Sequence, residues 1–86
     1  MELYRIFLDR KALKQRDKIR GEAHDRIVEA MRTMRDEGLS RRLDIVKLKG
    51  HKNHYRLRVG RYRILFELGP ERTITVYAVL SRERAY

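Results

Sequence analysis

The sequence predicts an α+β domain, in which two N-terminal helices pack on one face of an antiparallel sheet in the order β-α-α-β-β-β(-β). Three observations predict it. Ala23, Ile27, Ala30, Met31 and Met34 recur at helical spacing. From Leu43 onward the apolar period drops to two. Gly60-Arg61 separates two alternating segments, and Gly followed by any residue is the signature of a two-residue type II′ hairpin turn.

Taken in order, Leu3 to Leu8 reads as a first strand, rich in residues that suit a pleated surface. Asp9 caps a short helix carrying Ala12 and Leu13, and Gly21 loosens the connection to a longer one. The far face of that second helix mixes Asp25, Arg26, Glu29, Arg32, Arg35 and Asp36, the pattern of a solvated surface. Gly38-Leu39 fits a glycine stop with its hydrophobic contact. Leu43 to Lys49 forms a short strand and Gly50 to Asn53 a turn; Tyr55 to Val59, Tyr62 to Leu68 and Thr73 to Leu80 are three further strands, with Gly69-Pro70 in the last loop. No linker divides residues 1–86, so one domain is expected.

Composition bounds the function. An 86-residue chain has room for one modest core, and its 42% apolar content favours folding despite 40% charged residues. The net charge of +10 attracts polyanions: nucleic acid, an anionic membrane or an acidic protein. No apolar run approaches a spanning helix and nothing at the N-terminus resembles a signal peptide, which argues against the membrane. The absence of cysteine suits a reducing, cytoplasmic setting. Gln15 and Asn53 are the only side-chain amides amid abundant Arg and Glu, a lean towards a thermophilic source. His51 and His54 flank a turn without further ligands, and Asp44, Glu67, Glu71 and Glu83 are dispersed, so neither a metal nor another cofactor is expected. Ser40 and Ser81 lack a triad context.

The most informative stretch is Tyr55 to Phe66. A turn at Gly60-Arg61 opposes Val59 to Tyr62, Leu57 to Ile64 and Tyr55 to Phe66 on one apolar face. The same register gathers Arg56, Arg58 and Arg63 on the other, with Leu65 beside them. Like charges directly opposite are unfavourable, and arginine stays charged in any protein environment. An anion that arrives later explains the cluster, and phosphate matches the planar fork of guanidinium donors. The competing reading is a basic edge that discourages sheet aggregation. Keeping Ile74, Val76, Ala78 and Leu80 on the apolar face sets Phe66 opposite Ile74 and Tyr77 opposite Arg63. Arg82, Glu83, Arg84 and Tyr86 follow closely enough to reach the arginine side.

Lys47-Leu48-Lys49-Gly50, the hairpin Tyr55 to Arg63 and the terminal Ser81-Arg82-Glu83-Arg84-Ala85-Tyr86 resemble the RelE/ParE toxin superfamily, and the order of elements agrees along the whole chain. The resemblance to its RelE branch implies a type II toxin that cuts messenger RNA in the ribosomal A site without a metal. The ribose 2′-hydroxyl attacks the adjacent phosphorus and leaves a 2′,3′-cyclic phosphate. Carried over by position, it implies catalytic roles for Arg56, Arg58, Arg63, Arg82 and Tyr86, and RNA contacts from Lys47, Lys49, Lys52, Arg61 and Arg84. Nearby positive charge favours the phenolate of Tyr86 as a base. With no aromatic groove evident in the sequence, the ribosome is expected to position the substrate. The implied partners are the ribosome with its mRNA and a cognate acidic, RelB-like antitoxin.

This chain departs from the superfamily pattern in places. Arg61 stands where relatives often carry an acid; Val46 occupies the place of a glutamate that pairs with a histidine in others; and no C-terminal helix is expected. The alternatives are a ParE-like toxin that inhibits gyrase by binding, and a non-catalytic RNA-binding member of the fold.

Overall fold

The computed structural model describes residues 3–85, the side chains of residues 84 and 85 excepted. Its elements are β1 (Arg5–Leu8), α1 (Arg10–Asp17), α2 (Gly21–Glu37), β2 (Asp44–Lys47), β3 (His54–Val59), β4 (Tyr62–Gly69), β5 (Thr73–Ser81) and α3 (Arg82–Ala85). The single turn α3 follows β5 directly, where no helix was expected.

The class is α+β, but the sheet is mixed. Its order is β1-β5-β4-β3-β2. Strands β2 to β5 run antiparallel, as expected, whereas β1 pairs with β5 in parallel, Ile6 beside Ile74 and Leu8 beside Val76. Tight turns force antiparallel neighbours, and a parallel pair needs a long crossover. β2 to β5 are joined by short connections; β1 reaches its partner only through both helices and the rest of the sheet. Periodicity identifies β1 as a strand without fixing its direction.

Both helices pack on the face that carries Leu57, Ile64, Phe66, Ile74 and Val76, all fully buried with Ile27 and Met34. Asp9 caps α1 as expected, its Oδ1 accepting from the Ala12 amide at 2.8 Å. β1 ends its pairing at Val76, which leaves the side of β5 beyond it without a strand. Gln15 of α1 fills that gap, its Oε1 accepting from the Val79 amide at 2.7 Å. At the end of α2, Gly38 takes φ 72° and its amide donates to the Met34 carbonyl at 2.8 Å. A Cβ there would lie 2.5 Å from the Tyr4 ring, so glycine is required twice over, by dihedral and by space. The expected staple by Leu39 is not made tightly, since that side chain is 38% exposed.

One register differs from expectation. A β-bulge lies opposite Leu65/Phe66, so that Leu65 pairs with Ala78 while Phe66 pairs with Val76 and not Ile74. Tyr77 is the extra residue. Beyond it the alternation of β5 is reversed: Val79 opposes Ile64 on the helix side, while Ala78 and Leu80 turn to the other face, with Leu80 and not Tyr77 opposite Arg63. Alternation read from sequence assumes an uninterrupted pleat, and the buried run Ala78-Val79 satisfies either register.

Candidate nucleic-acid site on the open sheet face

The β3–β4 hairpin has the expected register, with Val59–Tyr62, Leu57–Ile64 and Tyr55–Phe66 on the helix side and Arg58 opposite Arg63 on the open side. Gly60 takes φ 58°, as the first position of a type II′ turn requires. Successive rows then cross the open face, each separated by two residues, or roughly 6.5–7 Å.

The first row is Asp44, Arg58, Arg63 and Leu80. Arg63 is 5% exposed, a cation set into the sheet and not waving above it. Arg58 is exposed at the rim, with Nε and Nη2 each 2.7 Å from Asp44 Oδ2. That carboxylate relieves the crowding of two facing cations. It was missed in the sequence because the β2–β3 register passes through a loop of undefined length; alternation back from Lys47 opposite Tyr55 would have found it.

The second row is Val46, half-buried Arg56, Leu65 and Ala78. Val46 faces Arg56 and places an apolar side chain, 45% exposed, at the edge of this row.

The third row contains His54 and Glu67, joined by Tyr77, which the bulge directs to this side. The Tyr77 hydroxyl lies 3.0 Å from His54 Nδ1, and His54 Nε2 lies 3.6 Å from Glu67 Oε2. Burial, with the Glu67 charge behind it, pushes the Tyr77 phenol above its ordinary value, so it keeps its proton. His51 tilts against His54 with ring centroids 5.4 Å apart. Glu67 was read as dispersed, the two histidines as flanking a turn and Tyr77 as opposite Arg63; the structure brings all four together. The signal was hidden because the bulge alone brings Tyr77 to His54.

The tail is tied to the hairpin turn. The Arg82 amide donates to the Arg61 carbonyl at 2.6 Å, and Arg61 Nη2 meets Glu83 Oε1 at 2.6 Å. Hydrogen bonds from its own backbone, then from Arg61 and Ser81, hold the exposed Glu83 carboxyl below its ordinary range. Arg61 thus holds the segment that carries Arg82, the exposed first residue of α3. Tyr86 and the Arg84 side chain lie outside the described residues. Among the lysines, Lys47 pairs with Tyr55 and belongs to the helix side of edge strand β2. Lys49 and Lys52 are exposed on the β2–β3 loop, where Lys47, Leu48, Lys49, Gly50, His51 and Lys52 line an open depression of about 370 Å³. Among the described residues no three or more His, Cys, Asp or Glu groups converge on a common point. Among the described residues no helix is long and apolar enough to cross a membrane.

Chemically, the face combines a fixed guanidinium, adjustable rim cations and a proton-bearing relay, which together suit a polyanion carrying planar bases. Comparison with known proteins identifies the family. The family described as "ParE toxin of type II toxin-antitoxin system, parDE" matches residues 6–86. Toxin RelE3 of Methanocaldococcus jannaschii is 49% identical over 45 residues, which are 52% of this chain and 50% of that protein. The aligned stretch therefore spans about half the length of this curated relative. A chain of the RelB-RelE antitoxin-toxin complex from Methanococcus jannaschii superposes with TM-score 0.82 at 32% identity, covering 93% of this chain and 94% of that one. The archaeal RelE-RelB complex from Pyrococcus horikoshii OT3 gives TM-score 0.80 at 22% identity, covering 94% and 97%, a likeness of fold alone. A family match over nearly the whole chain, joined to the first of these structures, shows that the chain belongs to the RelE/ParE toxin superfamily of type II toxin–antitoxin systems, as a RelE-type toxin.

Proposed function

We propose that residues 1–86 form a single cytoplasmic toxin domain that cuts messenger RNA on the ribosome without a metal. The observation that carries this reading is Arg63, a 5% exposed cation on the open face. Such a group is preorganised for charge that develops in a transition state and needs little reorientation when it does. The 2′-oxygen forms a bond to phosphorus as the bond from phosphorus to the 5′-oxygen breaks, leaving a 2′,3′-cyclic phosphate. Arg63 and Arg56 face the nonbridging oxygens, and Arg58 supports them from the rim. Tyr86 accepts the 2′-proton, and Arg82 steadies the leaving 5′-oxygen, which takes up a proton from water and departs as a hydroxyl. Lys47, Lys49, Lys52, Arg61 and Arg84 hold flanking RNA or ribosomal phosphates. The similarity to chains solved in RelB-RelE complexes supports a cognate, acidic RelB-like antitoxin as the partner. Primer extension on mRNA with ribosomes, comparing wild type with Arg63→Ala, tests the assignment: discrete cleavage by the first only supports it, and no cleavage by either rejects it.

A second reading has one observation in its favour, the family description that names ParE. A ParE-like toxin acts by binding gyrase. Inhibition of gyrase supercoiling by the purified chain, without RNA cleavage, would select it.

A further inference from the structure

The third row of the open face is chemically unlike the first two. The first two rows offer guanidinium groups; the third offers two imidazoles, a phenol and a carboxylate. His51, His54 and Tyr77 form a continuous series of rings, with centroids 5.4 Å apart at each step and interplanar angles of 38° and 55°. The helices cover the other side of the sheet, so this series contributes nothing to the main core. Tyr77 reaches it only because β5 bulges there, and bulges are recurrent devices for re-aiming a side chain beside a functional site.

The location adds to the chemistry. His54 and Arg56 share one face of β3 two residues apart, roughly 6.5–7 Å. That is of the order of the spacing between successive phosphates in an extended single strand. The lysine-lined depression borders the row at His51. Glu67 then stands out. Its side chain is 55% exposed beside a cationic surface, where it repels the phosphate that the arginines attract. A carboxylate in that position cannot serve the backbone of a nucleic acid, but it can accept from a base, since exocyclic amino groups are the ordinary partners of Glu and Asp in base recognition.

We infer that His51, His54, Tyr77 and Glu67 form a nucleobase subsite one step along β3 from the arginines, in which the rings stack one unpaired RNA base and Glu67 accepts a hydrogen bond from its exocyclic amino group. Adenine, cytosine or guanine is then held in preference to uracil. The Tyr77 hydroxyl donates to His54 Nδ1, which turns the Nε2 hydrogen toward Glu67 and fixes the ring. Tyr77 positions His54, and the rings and Glu67 touch the base. This inference rests on the reading of the arginine face as an RNA site.

The test is binding, kept apart from cleavage by using fully 2′-O-methylated oligomers, oligo(A) and oligo(U), with fluorescence anisotropy over a salt series. Wild type should bind oligo(A) roughly five- to tenfold more tightly than oligo(U), the worth of one charge-assisted hydrogen bond. Glu67→Ala should remove the preference, and His51→Ala should weaken both oligomers, with the salt slope unchanged. Arg56→Ala should weaken both oligomers and lower the slope by about one. Equal binding of the two oligomers with a normal salt slope overturns the subsite and leaves the arginine reading standing. Absence of any RNA binding overturns both. Imidazole NMR signals of His51 and His54 that move with an acidic antitoxin peptide and not with RNA would assign the row to the protein partner and overturn the subsite.

Discussion

Asp44 and Arg58 face each other across β2 and β3, and one carboxylate oxygen meets two guanidinium nitrogens at 2.7 Å each. Arg58 lies in turn opposite Arg63, so one acid on the edge strand moderates a pair of facing cations. The arrangement leaves Arg63 as the fixed charge and Arg58 as one that can exchange its carboxylate for a phosphate.

Asp44→Asn should therefore strengthen RNA binding by a few-fold and steepen its salt dependence by about one unit, because Arg58 no longer has to leave a carboxylate. Stability should change by less than about 1 kcal/mol, since the pair is half-exposed and solvent-screened. Weaker binding in the same salt titration would show instead that Asp44 orients Arg58 for its ligand.

Arg63→Ala should lower ribosome-dependent cleavage by roughly 10²–10³, the usual loss of one donor to transition-state charge. Arg32→Ala, on the exposed helix face beside Glu29, should change little. Circular dichroism must show both folded, and equal cutting by both removes Arg63 from the mechanism. Tyr86→Phe should slow the single-turnover step by roughly 10²–10⁴ with binding unchanged.

The Arg61–Glu83 tie predicts a pH effect below neutrality. Glu83 is held below its ordinary 4.5, so the folded tail binds its proton less readily than the unfolded chain does. The tie is then complete above about 4.5 and is lost as the pH falls through the depressed value. The protection of the Arg82 amide against hydrogen exchange, taken relative to the intrinsic rate at each pH, should fall in that window. Glu83→Ala should reproduce the loss of protection at neutral pH and reduce cleavage about tenfold through misplacement of the tail. Exchange insensitive to both changes would mean that the backbone contact alone holds α3.

Gly38→Ala should be strongly destabilising, because the position is buried as well as conformationally restricted. The residue sits at φ 72°, and the added Cβ meets the Tyr4 ring. Strain of about 1–3 kcal/mol is expected from the backbone alone, lowering Tm by roughly 10 °C in a domain of this size. A melting curve that coincides with wild type would mean that Tyr4 moves aside freely.

Most of the fold was legible because its signals are local. The arginine hairpin was placed to the residue, since a glycine turn and an apolar face on each strand admit one register. The Asp9 cap and the Gly38 stop were readable for the same reason. What escaped was whatever depends on distant partners or on an irregular pleat. The parallel pairing of β1 is set by tertiary packing and leaves no mark on its own four residues. The bulge at Tyr77 replaces one acceptable alternation with another, and with it went the His54–Tyr77–Glu67 row. Asp44 was visible as a carboxylate but not as the neighbour of Arg58. The two amides, first noted for their scarcity, have defined places. Gln15 closes the side of β5, and Asn53 adopts φ 64°, a left-handed conformation that asparagine tolerates better than most residues.

The parallel contact between β1 and β5 also has a consequence in time. β1 is made before β5, and its place in the sheet does not exist until β5 has followed. Contacts so far apart in the chain form late and slow the folding of the whole. Until then the Ile6 and Leu8 side chains lack their β5 neighbours, and the row that crosses from β3 to β5 is incomplete. The β1 pairing and the row that ends at Tyr77 therefore both wait on β5, and neither can be in place before that strand is made.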